Sequence, residues 1–121
     1  MKHILLADED PDILLALQDH LESHGYRVTT ATNGQDAADI AEQNNLSLVL
    51  ICHQLMMDGL DKIQHIQKGK NKIPIIVMTS SIEDMPYKIL MPWVHGWLRQ
   101  PINHDELNLI LVRHCSEKQN G

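Results

Sequence analysis

The run Leu48-Val49-Leu50-Ile51 is apolar without interruption and stops at Cys52-His53-Gln54. A continuous run of this kind, with no polar alternation, reads as a strand buried on both faces, as in the middle of a parallel sheet. The strand is expected to end in a loop. In a sheet wound from alternating strands and helices, ligands gather outside the carboxyl ends of the strands, so Cys52, His53 and Gln54 stand where function is expected.

The rest of the chain repeats the alternation. Ile4-Leu5-Leu6-Ala7 is a short apolar run that breaks at Asp8-Glu9-Asp10, a buried strand with acids at its carboxyl end. Pro11 suits a first helical position with Asp10 as cap. Ile13, Leu14, Leu17 and Leu21 then recur at helical spacing until Gly25. Tyr26 to Ala31 is β-rich and partly alternating, a more exposed strand, and Asn33-Gly34 turns into a helix over Gln35 to Gln43 that packs through Ala37, Ala38, Ile40 and Ala41. After the central strand, Asp58 to about Lys68 reads as a third helix, with Leu60, Ile63 and Ile66 inward and Gly69 closing it. Ile75 to Thr79 is another continuous apolar strand.

Between Ser81 and Gly96, Pro86 and Pro92 limit any fourth helix to a short one starting near Pro86, because an interior proline costs about 3 kcal/mol. Trp97-Leu98-Arg99 is a short fifth strand, and Asp105 to about His114 is the closing helix with Leu107, Ile110 and Leu111 inward. Five strands alternating with five helices specify a doubly wound α/β sandwich, and residues 1–121 are expected to form one domain.

Composition narrows the function. A formal charge of −6 argues against binding a nucleic-acid backbone, and the one basic stretch, Lys68 to Lys72, reads as a solvated turn. Two distant cysteines without CxxC spacing indicate neither a disulfide scaffold nor a zinc module and fit a reducing cytoplasm. The N-terminal apolar run is too short for a signal peptide, and no run approaches membrane length. The chain starts at Met and ends soon after the last helix pattern, so no effector domain is expected within it.

The segment ILLADEDPDILLALQDHLESHGYRVTTATNGQDA, the LVLIC strand followed by MMDG, the PIIVMTS strand and the closing LRQPIN resemble the receiver domain of two-component response regulators over nearly the whole chain. The resemblance implies a flavodoxin-like sheet of strand order 2-1-3-4-5 and phosphoryl transfer from a histidine kinase to an aspartate closing strand three. By the same resemblance Asp8 and Glu9 hold Mg²⁺ with help from the Gln54 carbonyl. Thr79 reads the phosphoryl group, and Trp97 is the aromatic switch on strand five.

Two positions depart from the family pattern. Cys52 falls where the acceptor aspartate is expected, and Gln100 falls where a lysine precedes the proline of LRQPIN. Aspartyl phosphorylation needs a carboxylate nucleophile, a divalent cation and a fixed positive charge, and two of these supports are absent. Asp8 and Glu9 alone are expected to bind Mg²⁺ weakly if at all, and no cofactor is required. The losses are mutually consistent, because a lysine facing no acid in a dry site would be costly and a neutral Gln is compatible.

The expected function is therefore phosphorylation-independent protein–protein interaction in bacterial signalling, not catalysis. The partners would be signalling proteins, either a histidine kinase or a downstream effector, or a second copy of the chain. The contact surface implied by the family lies on the fourth helix, fifth strand and fifth helix, through Tyr87, Leu90, Met91, Trp93 and Trp97. Two alternatives stay open: a phosphoacceptor using an unorthodox residue, and a thiol sensor at Cys52. Against the sensor, Asp8 and Glu9 should raise the thiol pKa, and Cys115 sits on a different element. Eight histidines include His20 and His24 at i, i+4, a spacing able to clamp a metal, but with no Cys or third His nearby in sequence the stronger reading is a solvated helix end favoured by the dipole.

Overall fold

The computed structural model describes residues 2–69, 72–80 and 94–115. The expected fourth helix near Pro86, and Tyr87, Leu90, Met91 and Trp93 with it, lie outside these residues. Five strands, β1 (His3–Ala7), β2 (Arg27–Ala31), β3 (Leu48–Cys52), β4 (Ile75–Thr79) and β5 (Gly96–Arg99), form one parallel sheet in the order β2-β1-β3-β4-β5. The expected flavodoxin-like order is the observed one. β1, β3 and β4 are buried at every residue, whereas β2 on the edge is largely half-exposed, as its alternating sequence implied.

Successive residues of each central strand supply opposite faces of the sheet. Ile4, Leu6, Leu48, Leu50, Ile76 and Met78 pack under α1 (Pro11–Ser23) and the last helix, here α5 (His104–Cys115). Leu5, Ala7, Val49, Ile51, Ile75 and Val77 pack under α2 (Gly34–Gln43), α3 (His53–Asp58) and α4 (Leu60–Lys68). An unbroken apolar strand is what two covered faces require.

Helix ends follow their local chemistry. The Asp10 side chain accepts from the Asp12 N–H at 2.9 Å, and Pro11 occupies the first turn, where its missing N–H is harmless. At the other end Gly25 takes φ +90°, with Gly25 N–H to the Glu22 carbonyl and Tyr26 N–H to the Leu21 carbonyl closing a Schellman motif. Asn33 caps α2 by accepting from the Asp36 N–H at 2.8 Å. Asn103 caps α5 in the same manner through the Glu106 N–H at 3.0 Å, so that helix starts one residue earlier than its apolar spacing suggested.

The segment after β3 departs from expectation. Instead of a loop leading to a helix at Asp58, α3 begins at His53 directly after the strand, and Gly59 separates it from α4. HQLMMD contains no Gly or Pro, and Leu55 and Met56 become fully buried only when coiled back over the sheet. Ile66 and Leu60, expected inward, are only partly buried. Gln67 takes the buried place, its side chain bonding both the N–H and the carbonyl of Ile73 at 2.9 and 2.7 Å.

Candidate functional site

All five strands are parallel, so their carboxyl ends share one edge of the sheet, and four of them supply a cleft there. β1 is followed by Asp8 and Glu9, β3 ends on Cys52, β4 ends on Thr79 with Ser80 next, and β5 leads to Gln100. With His53, Gln54 and Met78 they line a cavity of about 200 Å³. The chain thus brings together Asp8, Glu9, Cys52, Gln54, Thr79 and Gln100, six positions separated by up to most of its length. A larger hollow of about 550 Å³ lies far from this edge, between the C-terminal ends of α2 and α4.

Asp8 is the buried charge of the cleft, only 4% exposed. Its Oδ1 accepts from the Asp10 N–H at 2.9 Å, and its Oδ2 accepts from Gln100 Nε2 at 3.1 Å. The Gln100 backbone N–H in turn donates to the Thr79 carbonyl at 2.7 Å. One residue therefore ties together the ends of β1, β4 and β5. The sequence marked Gln100 as a neutral substitute for a lysine but did not reveal this bond.

Cys52 is buried, and its thiol pKa is raised. Burial is the main cause; the Leu55 backbone N–H opposes it, the Asp8 charge adds to it, and the Glu9 backbone N–H and charge follow with opposite signs. A thiol in that state is a poor nucleophile at neutral pH. Gln54 lies in α3 with its exposed side chain donating to Asp58 Oδ1 at 3.1 Å, one turn along its own helix. Glu9 is exposed and Thr79 is 2% exposed. Trp97 is half-buried against the α2–α4 side of the core, with its ring centroid 6.5 Å from that of His53. Ser80 also lines the cleft. Its place directly after the apolar IIVMT strand is the sequence signal for it.

Asp8 and Glu9 are the carboxylates lining the cleft, and each Asp8 oxygen accepts one protein hydrogen bond. Mg²⁺ is ordinarily held by one or two carboxylates with waters completing its octahedron, so this pair would need water for most of the coordination sphere. Among the described residues no group of three or more His, Cys, Asp or Glu stands in metal-holding geometry.

Among protein families, the model of the response regulator receiver domain matches residues 4–111. The chain belongs to this family. The receiver domain is 32% identical over 108 residues to the transcriptional regulatory protein GlrR of Escherichia coli K12, covering 87% of this chain and 24% of that protein. It is 31% identical over 122 residues to the uncharacterized transcriptional regulatory protein YkoG of Bacillus subtilis, covering 98% of this chain and 52% of that protein. The chain thus spans between about a quarter and about half of these relatives.

Among solved structures, a CheY-like response regulator receiver domain protein from Methanospirillum hungatei superimposes with a TM-score of 0.81 at 25% identity, covering 100% of this chain and 99% of that one. The receiver domain of the sensor histidine kinase PA1611 from Pseudomonas aeruginosa, solved with magnesium in its active-site cleft, gives 0.81 at 28% identity over 93% of this chain and 96% of that one. Two-component signal transduction is the setting of this family. Among the described residues no helix is long and apolar enough to cross a membrane.

Proposed function

We propose that residues 1–121 act as one receiver unit in bacterial two-component signalling that docks partner proteins without an aspartyl-phosphate switch. The observation that carries this reading is the Gln100 bond to Asp8. A neutral amide, rather than an ammonium, satisfies the buried carboxylate, so no fixed positive charge is directed into the cleft from that position. Cys52 closes β3 at the position proposed for the acceptor, and its protonated thiol is unsuited to phosphoryl transfer. Asp8 and Glu9, with Gln54, would hold Mg²⁺ only weakly, and Thr79 and Trp97 would be remnants of the phosphoryl-reading and aromatic-switch positions.

Receiver domains are generally non-enzymatic signalling modules, and this one is proposed to serve as a docking platform in the cytoplasm. Its partner would be a histidine kinase, a downstream effector or a second copy of the chain. The proposed contact face combines Trp97 and the 87–93 segment (Tyr87, Leu90, Met91 and Trp93) with the outer side of α5. Leu109 and Val112 there are 67% and 63% exposed and give that side its apolar character.

Amide NMR of the chain with Mg²⁺ and then with beryllofluoride tests the reading. The expected result is no change at Cys52, Thr79 or Trp97 on adding the phosphoryl analogue. Shifts that reach Trp97 would overturn it and restore a phosphorylation switch. Mass gain from a small phosphodonor would do the same in favour of an unorthodox acceptor. The thiol-sensor reading is opposed by the burial of Cys52 and its raised pKa.

A further inference from the structure

The cleft at the strand ends holds a buried carboxylate without a counter-charge. Asp8 is 4% exposed, and its two hydrogen-bond donors, the Asp10 N–H and the Gln100 amide, are both neutral. Neither Asp8 nor Glu9 forms an ion pair with a described residue, and no Lys or Arg stands among the described residues that line the cavity. The other titratable groups on the lining are His53 and the protonated Cys52 thiol. Buried charges are ordinarily paired, because neutral dipoles offset only part of the lost hydration. Each carboxylate oxygen has two acceptor positions and Asp8 uses one on each, so a further donor pair has a place there. The cavity of about 200 Å³ has room for several waters at about 30 Å³ each, and so for a planar group the size of a guanidinium.

We propose that this cleft receives the guanidinium of an arginine carried by the docked partner, which supplies the positive charge that Gln100 does not. The inference rests on the docking reading above and names the partner's chemistry at its centre. Arginine presents a planar fork of donors that matches a carboxylate, and its weak hydration makes it the usual side chain of desolvated interface pairs. Its fork would pair with Asp8, leaving further N–H groups for Glu9 at the exposed mouth and for the hydroxyls of Thr79 and Ser80. Mg²⁺ would draw most of its ligands from water here, whereas an arginine brings its donors with it. The cleft also adjoins the proposed contact face, because the ring of His53 on its lining lies 6.5 Å, centroid to centroid, from that of Trp97. A net charge of −6 steers a basic partner surface toward this chain, and the cleft then selects among such surfaces, since a neutral residue leaves Asp8 unanswered.

Amide NMR of the full chain, titrated with Nα-acetyl-arginine methylamide at constant ionic strength, tests this, with the corresponding citrulline derivative as the neutral isostere. The expected result is saturable shifts at Asp8, Glu9, Thr79 and Gln100 with a Kd of about 10 mM or tighter, and none with citrulline. Asp8→Asn should weaken binding by at least about tenfold, and Gln100→Lys, which sets an ammonium beside Asp8, should do the same by occupying the site from within. Asp61→Asn, an exposed acid on α4, should leave binding unchanged. An equal response to citrulline overturns the proposal, as does the absence of saturation by about 100 mM arginine probe. Binding undiminished in both Asp8→Asn and Gln100→Lys overturns it too. So does displacement of the probe by magnesium chloride at about a tenth of its concentration, which would make the cleft a divalent-cation site. Each of these failures leaves the beryllofluoride experiment standing, whereas shifts that reach Trp97 with beryllofluoride overturn the docking reading itself.

Discussion

Gln100 and Asp8 show how one side-chain pair can define a cleft. Gln100→Ala removes the donor to a carboxylate oxygen that is nearly fully buried, and is expected to cost about 1–2 kcal/mol in urea unfolding. His3 carries a pH dependence. Its ring bonds Thr29 Oγ1 at 2.7 Å, and its pKa is lowered, chiefly by burial and further by the Arg27 charge. With the folded value below the unfolded one, the unfolded chain binds more protons in between, so stability rises with pH there. The contribution is complete above the unfolded pKa of about 6.5 and is lost as pH falls through the folded value. His114, lowered by burial and then by His95 and Arg113, adds a slope of the same sign. Urea midpoints measured from pH 7.5 downward should fall less steeply in His3→Gln than in the parent chain. An equal slope would show that the imidazole is not responsible. Residue identities in the cleft were legible in the sequence, because apolar runs that stop abruptly point to strand ends. The Gln100–Asp8 bond was not, since its partners are 92 positions apart.

Among the elements, the junction of α2 with the α3–α4 break is the tightest. A Cβ on Gly34 would meet the Leu55 carbonyl oxygen at 2.5 Å, and one on Gly59 would meet the Gly34 carbonyl oxygen at 2.5 Å. Backbone cannot yield as a flexible side chain does, so Gly34→Ala should destabilise by about 1–3 kcal/mol in chemical unfolding. A substitution without effect would mean that the helices separate at little cost. Gln67 makes a second prediction of this kind. Its side chain replaces the missing strand partner for Ile73, and Gln67→Ala leaves a buried N–H and a buried carbonyl unbonded, at a cost of about 2–4 kcal/mol. Local chemistry made the ends of α1 readable, because Asp10-Pro11 and Gly25 act within a turn of themselves. α3 was not readable in the same way. Helix and loop compete there on nearly equal local terms, and what settles them is burial of Leu55 and Met56 against strands distant in sequence.

Across the whole molecule, the sheet separates two apolar clusters, and stability should follow them rather than the surface. Leu50 is fully buried under α1 and α5, so Leu50→Ala is expected to cost about 2–5 kcal/mol. Leu109→Ala, on the open face of α5, should stay within about 0.5 kcal/mol while weakening partner capture. Comparable losses at the two sites in urea unfolding would contradict this division of labour. The amino-acid order alone was enough for the α/β alternation, the fully buried central strands and the residues at their carboxyl ends, because hydrophobic periodicity and helix caps are written over a few neighbouring positions. Tertiary structure decided the pairing of Gln100 with Asp8, the helix directly after Cys52 and the Gly34–Gly59 contact. Each depends on distances between segments far apart along the chain, which are fixed only when the sheet closes and the two cores pack.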